Sequence, residues 1–125
     1  MRLLALACLS LCVFIASPAH ATGIGAAKRG EQIYKTRCAS CHDLNLSRTG
    51  PSLHYAFGRQ AGSGGDYEYS PALQSSGIVW TETTLDQWLA NPALLVPGQK
   101  MFFITNDPQD RADVIAFLKQ SALHR

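Results

Sequence analysis

The chain has 125 residues, enough for one domain, and eleven Lys and Arg against nine Asp and Glu give a formal net charge of +2. This balance excludes a strongly basic nucleic-acid-binding protein and an acidic tail protein. Sixteen of the apolar residues fall within residues 1–21. The rest is only about two-fifths apolar and is rich in Gly and Pro, so we expect its core to be filled partly by something other than side chains.

The first 21 residues have the features of a secretory signal peptide. Arg2 provides a positive start, the apolar run Leu3 to Ala16 follows, and Ala19 and Ala21 are small residues at the positions that signal peptidase reads. The alternative is a retained membrane anchor, but a run of 14 residues is shorter than the roughly 20 that span a bilayer. The pattern therefore predicts cleavage after Ala21 and export to the periplasm.

The mature domain, residues 22–125, would have a net charge of +1 and few thiol, thioether or imidazole groups. Cys8 and Cys12 would leave with the signal peptide. The remaining Cys, Met and His residues are Cys38, Cys41, Met101, His42, His54 and His124. Two thiols in an oxidising compartment usually form a disulfide, but their spacing here suggests another use.

Helices are predicted near both ends of the mature domain and once between them. Ala26 to Arg37 lacks Pro and has apolar residues at helical offsets. Thr81 to Asn91 places apolar residues on one face and is stopped by Pro92. Asp107 and Pro108 are an N-cap and first-turn pair, from which a third helix runs to about Lys119.

The segments between these helices are long and rich in turn residues, notably at 50–51, 61–65 and 97–98. No strand-like alternation and no repeat is present. The Gly-rich stretch at 62–65 lacks the Gly-Lys-Ser/Thr ending and the preceding strand of a phosphate-binding loop. The predicted fold class is all-α, with long loops that wrap something.

The sequence Cys38-Ala39-Ser40-Cys41-His42 is the attachment signature of c-type haem. On a helical turn, positions i, i+3 and i+4 share a face, so both thiols and the imidazole can meet one porphyrin. The thiols can add to the two haem vinyl groups, and His is a common proximal ligand of haem iron.

Three other uses of Cys38 and Cys41 compete with haem attachment. A thioredoxin-like redox site requires a βαβ context, which the sequence lacks. A structural zinc site needs more ligands than His54 and His124 can supply. A disulfide would close a strained four-residue loop with little gain in closure entropy. None of these explains the adjacent His42.

The second axial ligand decides the function, because an open sixth position permits ligand binding or peroxide chemistry whereas a filled one leaves electron transfer. Met101, the single Met after cleavage, follows the turn Pro97-Gly98. A lone Met is more often a core residue, but the turn context favours a ligand. His54 is the rival candidate for this ligand. The alternative interpretation is that His54 is a solvent-facing loop residue.

From about Gly30 to Lys119 the chain resembles a class I cytochrome c of the mitochondrial and bacterial c2 type. The resemblance covers most of the mature chain. The matching residues are Gly30 to Tyr34, Cys38 to His42, Gly50 to His54, Phe57 to Arg59, Tyr69, Gly77 to Trp80, Leu85 to Pro92, Pro97 to Met101 and Asp113 to Lys119.

The resemblance implies a small cytochrome c fold in which the N- and C-terminal helices cross closely at Gly30, with Tyr34, Val114 and Phe117 around it. It implies that one covalent haem c is ligated by His42 and Met101, and that the Pro51 carbonyl accepts a hydrogen bond from the far nitrogen of His42. It also implies donors near the inner haem propionate, namely Arg59, Tyr69 and Trp80. For the two aromatic residues, simple core packing is an alternative that can hold at the same time.

The chain departs from the mitochondrial members in three respects. The loop from Asp43 to Thr49 is shorter. Leu73 and Trp88 stand where that family usually has Asn and Tyr, so the polar network near Met101 is altered. The mature charge of about +1 is far below the basic excess of mitochondrial carriers, so long-range steering toward acidic partners is expected to be weak.

These observations predict a monomeric periplasmic electron carrier rather than an enzyme. Its partners would be redox proteins such as a membrane oxidase, a reductase or a periplasmic dehydrogenase, docking transiently at a haem edge flanked by Lys35 and Lys100. Two alternatives stay open. One is a haem sensor or peroxidase-like protein with a labile Met101, and the other is a haem-bearing subunit of a respiratory complex.

Overall fold

The computed structural model describes residues 24–124, so the predicted signal peptide and its cleavage site lie outside the described residues. Five helices occur in this range: α1 Ile24–Ile33, α2 Pro71–Gln74, α3 Glu82–Ala90, α4 Pro92–Leu95 and α5 Pro108–Leu123. Residues 24–124 form no strand, and one isolated antiparallel bridge joins Gln60 to Val79. The all-α prediction is confirmed. No helix in this range is long and apolar enough to cross a membrane.

Helices α1 and α5 pack closely where Gly30 faces Asp113. A Cβ at Gly30 would overlap the Asp113 carbonyl group and lie 2.9 Å from the Cβ of Phe117. The Tyr34 and Phe117 rings pack beside this crossing with their centroids 5.3 Å apart. The Asp113 carboxylate is fully buried, and it pairs with Arg29 and accepts a hydrogen bond from Gln109. The terminal helices therefore form one clamp, as the resemblance implies.

The first helix ends earlier than the predicted Arg37. After Ile33 the chain widens into a π-helical turn, Tyr34–Cys38, closed by the Ala39 amide donating to the Tyr34 carbonyl at 2.9 Å. The Thr36 hydroxyl donates to the carbonyls of Gln32 and Ile33. Such a hydroxyl competes for helical carbonyl groups and bends a helix. The haem signature thus begins at the end of a widened turn rather than within a regular helix.

Three helices begin at a proline preceded by a capping side chain. Ser70, Asn91 and Asp107 each accept a main-chain hydrogen bond, before Pro71, Pro92 and Pro108. Proline at the first helical position is favoured because the missing N–H has no partner there and φ is already helical. Pro92 ends α3 as predicted and also starts α4. Helices α2 and α4 were not predicted, because four residues are too few to show a period.

Helix α3 begins as predicted: Thr81 and Thr84 exchange side-chain and main-chain hydrogen bonds in a capping box. Helix α5 continues four residues past the predicted end at Lys119. Its buried residues pack with those of α1 and α3 around a central cavity. The buried core cluster consists of Ile33, Tyr34, Ala61, Tyr69, Leu73, Trp80, Leu85, Trp88, Leu89, Val96, Val114 and Ile115.

Candidate functional site

A cavity of about 470 Å³ lies between the helical clamp and the long loops. This volume is within the range of ordinary small-molecule and cofactor sites. Its wall includes apolar side chains from α2, α3 and α5, and the loops supply the rest. The chemically distinctive lining residues are Cys38, Cys41, His42, Arg59, Tyr69, Trp80, Trp88, Lys100 and Met101.

Both cysteines and the histidine of the signature line this cavity. Cys38 is partly buried and Cys41 is exposed, and both are free thiols. Burial raises the pKa of the Cys38 thiol, against the opposing effect of Arg37. The His42 amide donates to the Cys38 carbonyl at 2.9 Å, so the main chain fixes the spacing between thiol and imidazole.

The His42 ring is held by its neighbours in one orientation. Its Nδ1 lies 2.8 Å from the Pro51 carbonyl oxygen, so Nδ1 carries the proton that donates and Nε2 keeps its lone pair. A Cβ at Gly50 would lie 2.6 Å from Nδ1 and 2.8 Å from Nε2, so only glycine leaves room for the ring. Burial lowers the pKa of His42, outweighing the Pro51 hydrogen bond, and this favours the neutral, ligating form.

Met101 lines the same cavity, and a hydrogen bond engages its sulfur. The Trp88 indole Nε1 donates to Met101 Sδ at 3.2 Å. The Met101 amide donates to Gln99 Oε1, and the neighbouring Lys100 Nζ donates to the Glu68 carbonyl at 2.9 Å. The loop on which the thioether sits is therefore anchored immediately before the sulfur-bearing residue.

The other candidate ligands lie elsewhere. His54 is not among the residues that line the cavity, and its Nε2 lies 2.9 Å from the His124 carbonyl oxygen. Across residues 24–124, no group of three or more His, Cys, Asp or Glu is placed to hold a metal ion.

Arg59, Tyr69 and Trp80 all line the cavity. The Arg59 guanidinium is 3.4 Å from Tyr69 Oη through Nη2, while its buried Nε has no hydrogen-bond partner. The Trp80 amide donates to the Arg59 carbonyl at 2.9 Å. Burial raises the pKa of Tyr69, more than Arg59 lowers it, so its hydroxyl stays a donor. A buried donor without a partner is costly, and an anion in the cavity would satisfy it.

These residues fit a haem. The cavity offers a thiol pair and an imidazole from one segment, a neutral thioether from another, and an unpartnered cationic donor suited to a carboxylate. His and Met together are an axial pair found in c-type cytochromes. The apolar wall formed by α2, α3 and α5 suits a macrocycle that must be kept from water.

The structure does not bring Lys35 to the cavity. Its Nζ pairs with Glu31 one turn away at 2.6 Å, and Lys35 is absent from the lining. Lys35 lies within the π-helical turn with its side chain largely exposed, and its place beside the haem edge stays a prediction. Arg37, Arg59 and Lys100 are the Lys and Arg residues that line the cavity, and Arg37 pairs with Asp110 at 2.7 Å.

Two contributions escaped the sequence reasoning. Gly50 was noted only as a turn residue, whereas its missing side chain makes room for His42. Trp88 was treated as a departure from a polar position, whereas its indole N–H donates to Met101. The position of Trp88 on the apolar face of α3, thirteen residues before Met101, was the available signal, but spacing alone could not show that the loop returns to it.

A sequence model of cytochrome c matches residues 27–122 of this chain. The cytochrome c of Gossypium barbadense is 46% identical over 101 residues, which cover 78% of this chain and 91% of that protein. The chain belongs to the cytochrome c family. The cytochrome c of Cochliobolus lunatus is 45% identical over 100 residues, covering 77% of this chain and 93% of that relative.

Among solved structures, cytochrome cH from Methylobacterium extorquens is similar, with a TM-score of 0.72 and 41% identity over 75% of this chain and 97% of that one. As a member of the cytochrome c family, this chain binds one covalently attached haem c and carries single electrons between redox partners. It is an electron carrier and not an enzyme.

Proposed function

We propose that this cytochrome c is exported to the periplasm, cleaved after Ala21, and ligates its iron through His42 and Met101. Cys38 and Cys41 form the two thioether bonds. The monomeric carrier exchanges electrons with redox proteins such as a membrane oxidase, a reductase or a periplasmic dehydrogenase. No described helix could hold it in a bilayer.

One observation above all supports His/Met ligation. The imidazole and the thioether line the same apolar cavity, and Nδ1 of His42 is engaged by Pro51, which leaves the Nε2 lone pair available. A carbonyl partner at Nδ1 also makes the imidazole a better donor to a metal. A thioether is neutral and soft, so Met101 favours the ferrous state and raises the potential.

The bound haem supplies a one-electron couple at its iron. Arg59 and Tyr69 would neutralise and hydrogen-bond a haem carboxylate in the cavity, and Trp80 would shield it from water. Leu73, Leu85 and Leu89 exclude water from the macrocycle faces. Because hydrogen bonds from the protein hold both side chains, Pro51 for His42 and Trp88 for Met101, little in the protein has to move when the charge changes.

Ligation is tested by paired variants. Met101→Ala should lower the midpoint potential by roughly 0.2 V, a fraction of the ≈ 0.8 V that axial ligands span, and should open the sixth position to cyanide. His54→Ala is the matched control, since His54 lies outside the cavity, and should leave the potential and the spectrum unchanged. A drop in potential with His54→Ala, and none with Met101→Ala, would reverse the ligand assignment.

Export is tested by mass spectrometry of the protein expressed from its full gene with a haem-attachment system. The mature species should begin at Thr22, appear in the periplasmic fraction and carry the mass of one haem. A species that retains Arg2 in the membrane fraction would support the anchor instead.

A further inference from the structure

Three consecutive apolar residues form an exposed rim beside Met101. We define Phe102, Phe103 and Ile104 as the apolar lip; their exposed fractions are 90%, 37% and 49%. Phe102 and Phe103 also line the cavity. Since an aromatic side chain offers 150–250 Å², the lip exposes roughly 300 Å² of apolar surface. Apolar surface on this scale, next to the redox centre, marks an interaction site.

The lip is held in place and is not a frayed segment. The Thr105 amide, immediately after it, donates to the Leu89 carbonyl of α3 at 2.7 Å, and Thr105 is buried. Before it, Met101 is fixed through Gln99 and Trp88. Phe102 therefore projects from an anchored backbone, and its exposure costs free energy that the fold does not recover.

The charges of the described residues are largely neutralised inside the chain. Six cationic side chains form ion pairs with carboxylates: Arg29–Asp113, Lys35–Glu31, Arg37–Asp110, Arg48–Asp43, Arg111–Asp86 and Lys119–Glu82. Lys100, beside the cavity, is tied to the Glu68 carbonyl. Residues 101–106 carry no charge. Lys100 keeps its charge, because its acceptor is a neutral carbonyl, but it is the single charged residue within residues 97–106, so the surface around the lip offers an acidic partner little to recognise.

We propose that the apolar lip is the docking surface for a redox protein whose own electron-transfer face is apolar and nearly uncharged, rather than acidic. This deepens the proposed function and rests on it. A lip of roughly 300 Å² is well below the ≈ 800 Å² per partner of a standard stable interface, and it suits the small, transient interfaces of redox encounters. Its size and its place at the cavity thus favour a transient redox partner over a stable dimer.

The test uses two blue-copper proteins as oxidants of the ferrous chain, one with an apolar copper edge and one with an acidic patch there. One electron passes from Fe(II) to Cu(II), giving Fe(III) and Cu(I), with no proton transferred. With the apolar probe, the second-order rate constant should change less than about twofold between 10 and 200 mM salt. At 200 mM salt it should exceed the rate constant with the acidic probe.

Phe102→Ser should lower the rate constant with the apolar probe about fivefold or more, since exposed aromatics at the centre of an interface dominate its energetics. Ile104 does not line the cavity, and Ile104→Ser should lower this rate constant less than Phe102→Ser does. Leu46→Ser is the matched control, because Leu46 is 63% exposed and lies outside the cavity wall. Its rate constant should equal that of the parent.

The spectrum and midpoint potential of each variant separate docking from ligation. If these are unchanged and Phe102→Ser reacts as fast as the parent, the docking proposal is wrong while the electron carrier stands. A second-order rate constant with the apolar probe that falls steeply with salt would also overturn the docking proposal. The docking proposal would also be wrong if the parent formed a dimer in sedimentation at 100 μM, or bound phosphatidylcholine–phosphatidylglycerol vesicles, and Phe102→Ser abolished that dimer or that binding.

Discussion

Gly50 and Trp88 are the single residues that most constrain His42 and Met101, the two proposed axial ligands. Gly50 sits against the face of the His42 ring, where any Cβ would collide with it. Trp88 provides the one polar contact to the sulfur of Met101 among the described residues. Each acts through its neighbour, so each can be tested by the spectrum and potential of the iron.

Replacing Gly50 with Ala should displace the His42 imidazole and weaken its hydrogen bond to Pro51. We expect a mixed-spin or high-spin ferric spectrum and a lower yield of mature protein. Gly65→Ala is the control, since a Cβ there meets nothing within 4 Å. A low-spin spectrum identical to the parent's in Gly50→Ala would show that the ring has room to move.

Replacing Trp88 with Phe keeps a ring in the core but removes the donor to Met101 Sδ. Without this hydrogen bond the sulfur donates more strongly to ferric iron, so the midpoint potential should fall. A net hydrogen bond of 0.5–1.5 kcal/mol corresponds to a shift of about 20–65 mV for one electron. Trp88→Tyr, whose hydroxyl can still donate, should lie nearer the parent. Equal potentials in all three proteins would remove Trp88 from the ligand network.

At the scale of helices and loops, the α1–α5 crossing fixes the floor of the cavity. Gly30 permits the contact with Asp113, and Val114 and Leu118 of α5 line the cavity on the same helix. A disturbance at the crossing is therefore transmitted directly to the cofactor site. A substitution at Gly30, which does not line the cavity, is therefore expected to affect the cofactor site.

Replacing Gly30 with Ala should destabilise the fold by about 2–3 kcal/mol, because the new methyl group meets main-chain atoms that cannot move aside easily. Denaturant unfolding of the oxidised protein, followed by tryptophan fluorescence, measures this loss. Gly65→Ala again serves as the control. A loss below about 0.5 kcal/mol in Gly30→Ala would mean that α1 and α5 separate at little cost.

Sequence patterns predicted the long helices better than the loops. The N-cap Asp107 and the following Pro108 predicted a correct helix start because capping chemistry is local. The π-helical turn at Tyr34–Cys38 was not predicted; it contains Thr36, whose hydroxyl donates to the Gln32 and Ile33 carbonyls. The pairing of Met101 with His42 was already favoured by the turn before Met101, whereas the position of Arg59 beside them came only from the family resemblance, since contacts across long loops leave no periodic trace.

For the whole molecule, the cavity is the space that the sparse apolar side chains leave open. Residues from three helices and the long loops face it, and each would lose packing partners if it were empty. The low apolar content of residues 22–125 predicted that side chains alone would not fill the core. Folding and haem attachment are therefore expected to be coupled.

The mature chain with Cys38→Ala and Cys41→Ala, produced without haem, should be largely unfolded. We expect its ellipticity at 222 nm to be less than about half that of the haem-containing parent, because burial of the cofactor completes the core. Circular dichroism and a thermal melt provide the measurement. A cooperative melt with the parent's helicity would show that side chains alone fill the centre.

The prolines that begin α4 and α5 fix the ends of the loop that carries the proposed ligand Met101. In Asn91-Pro92 and in Asp107-Pro108, a capping side chain comes directly before a proline at the first helical position. Proline is disfavoured in the interior of a helix, so the starting residue of each helix is fixed. The stretch between Pro92 and Pro108, with Met101 near its middle, is thus a segment with fixed ends, here called a cassette. Cassettes of equal length from other family members could be exchanged here to retune both the iron ligand and the rim around it without redesigning the scaffold.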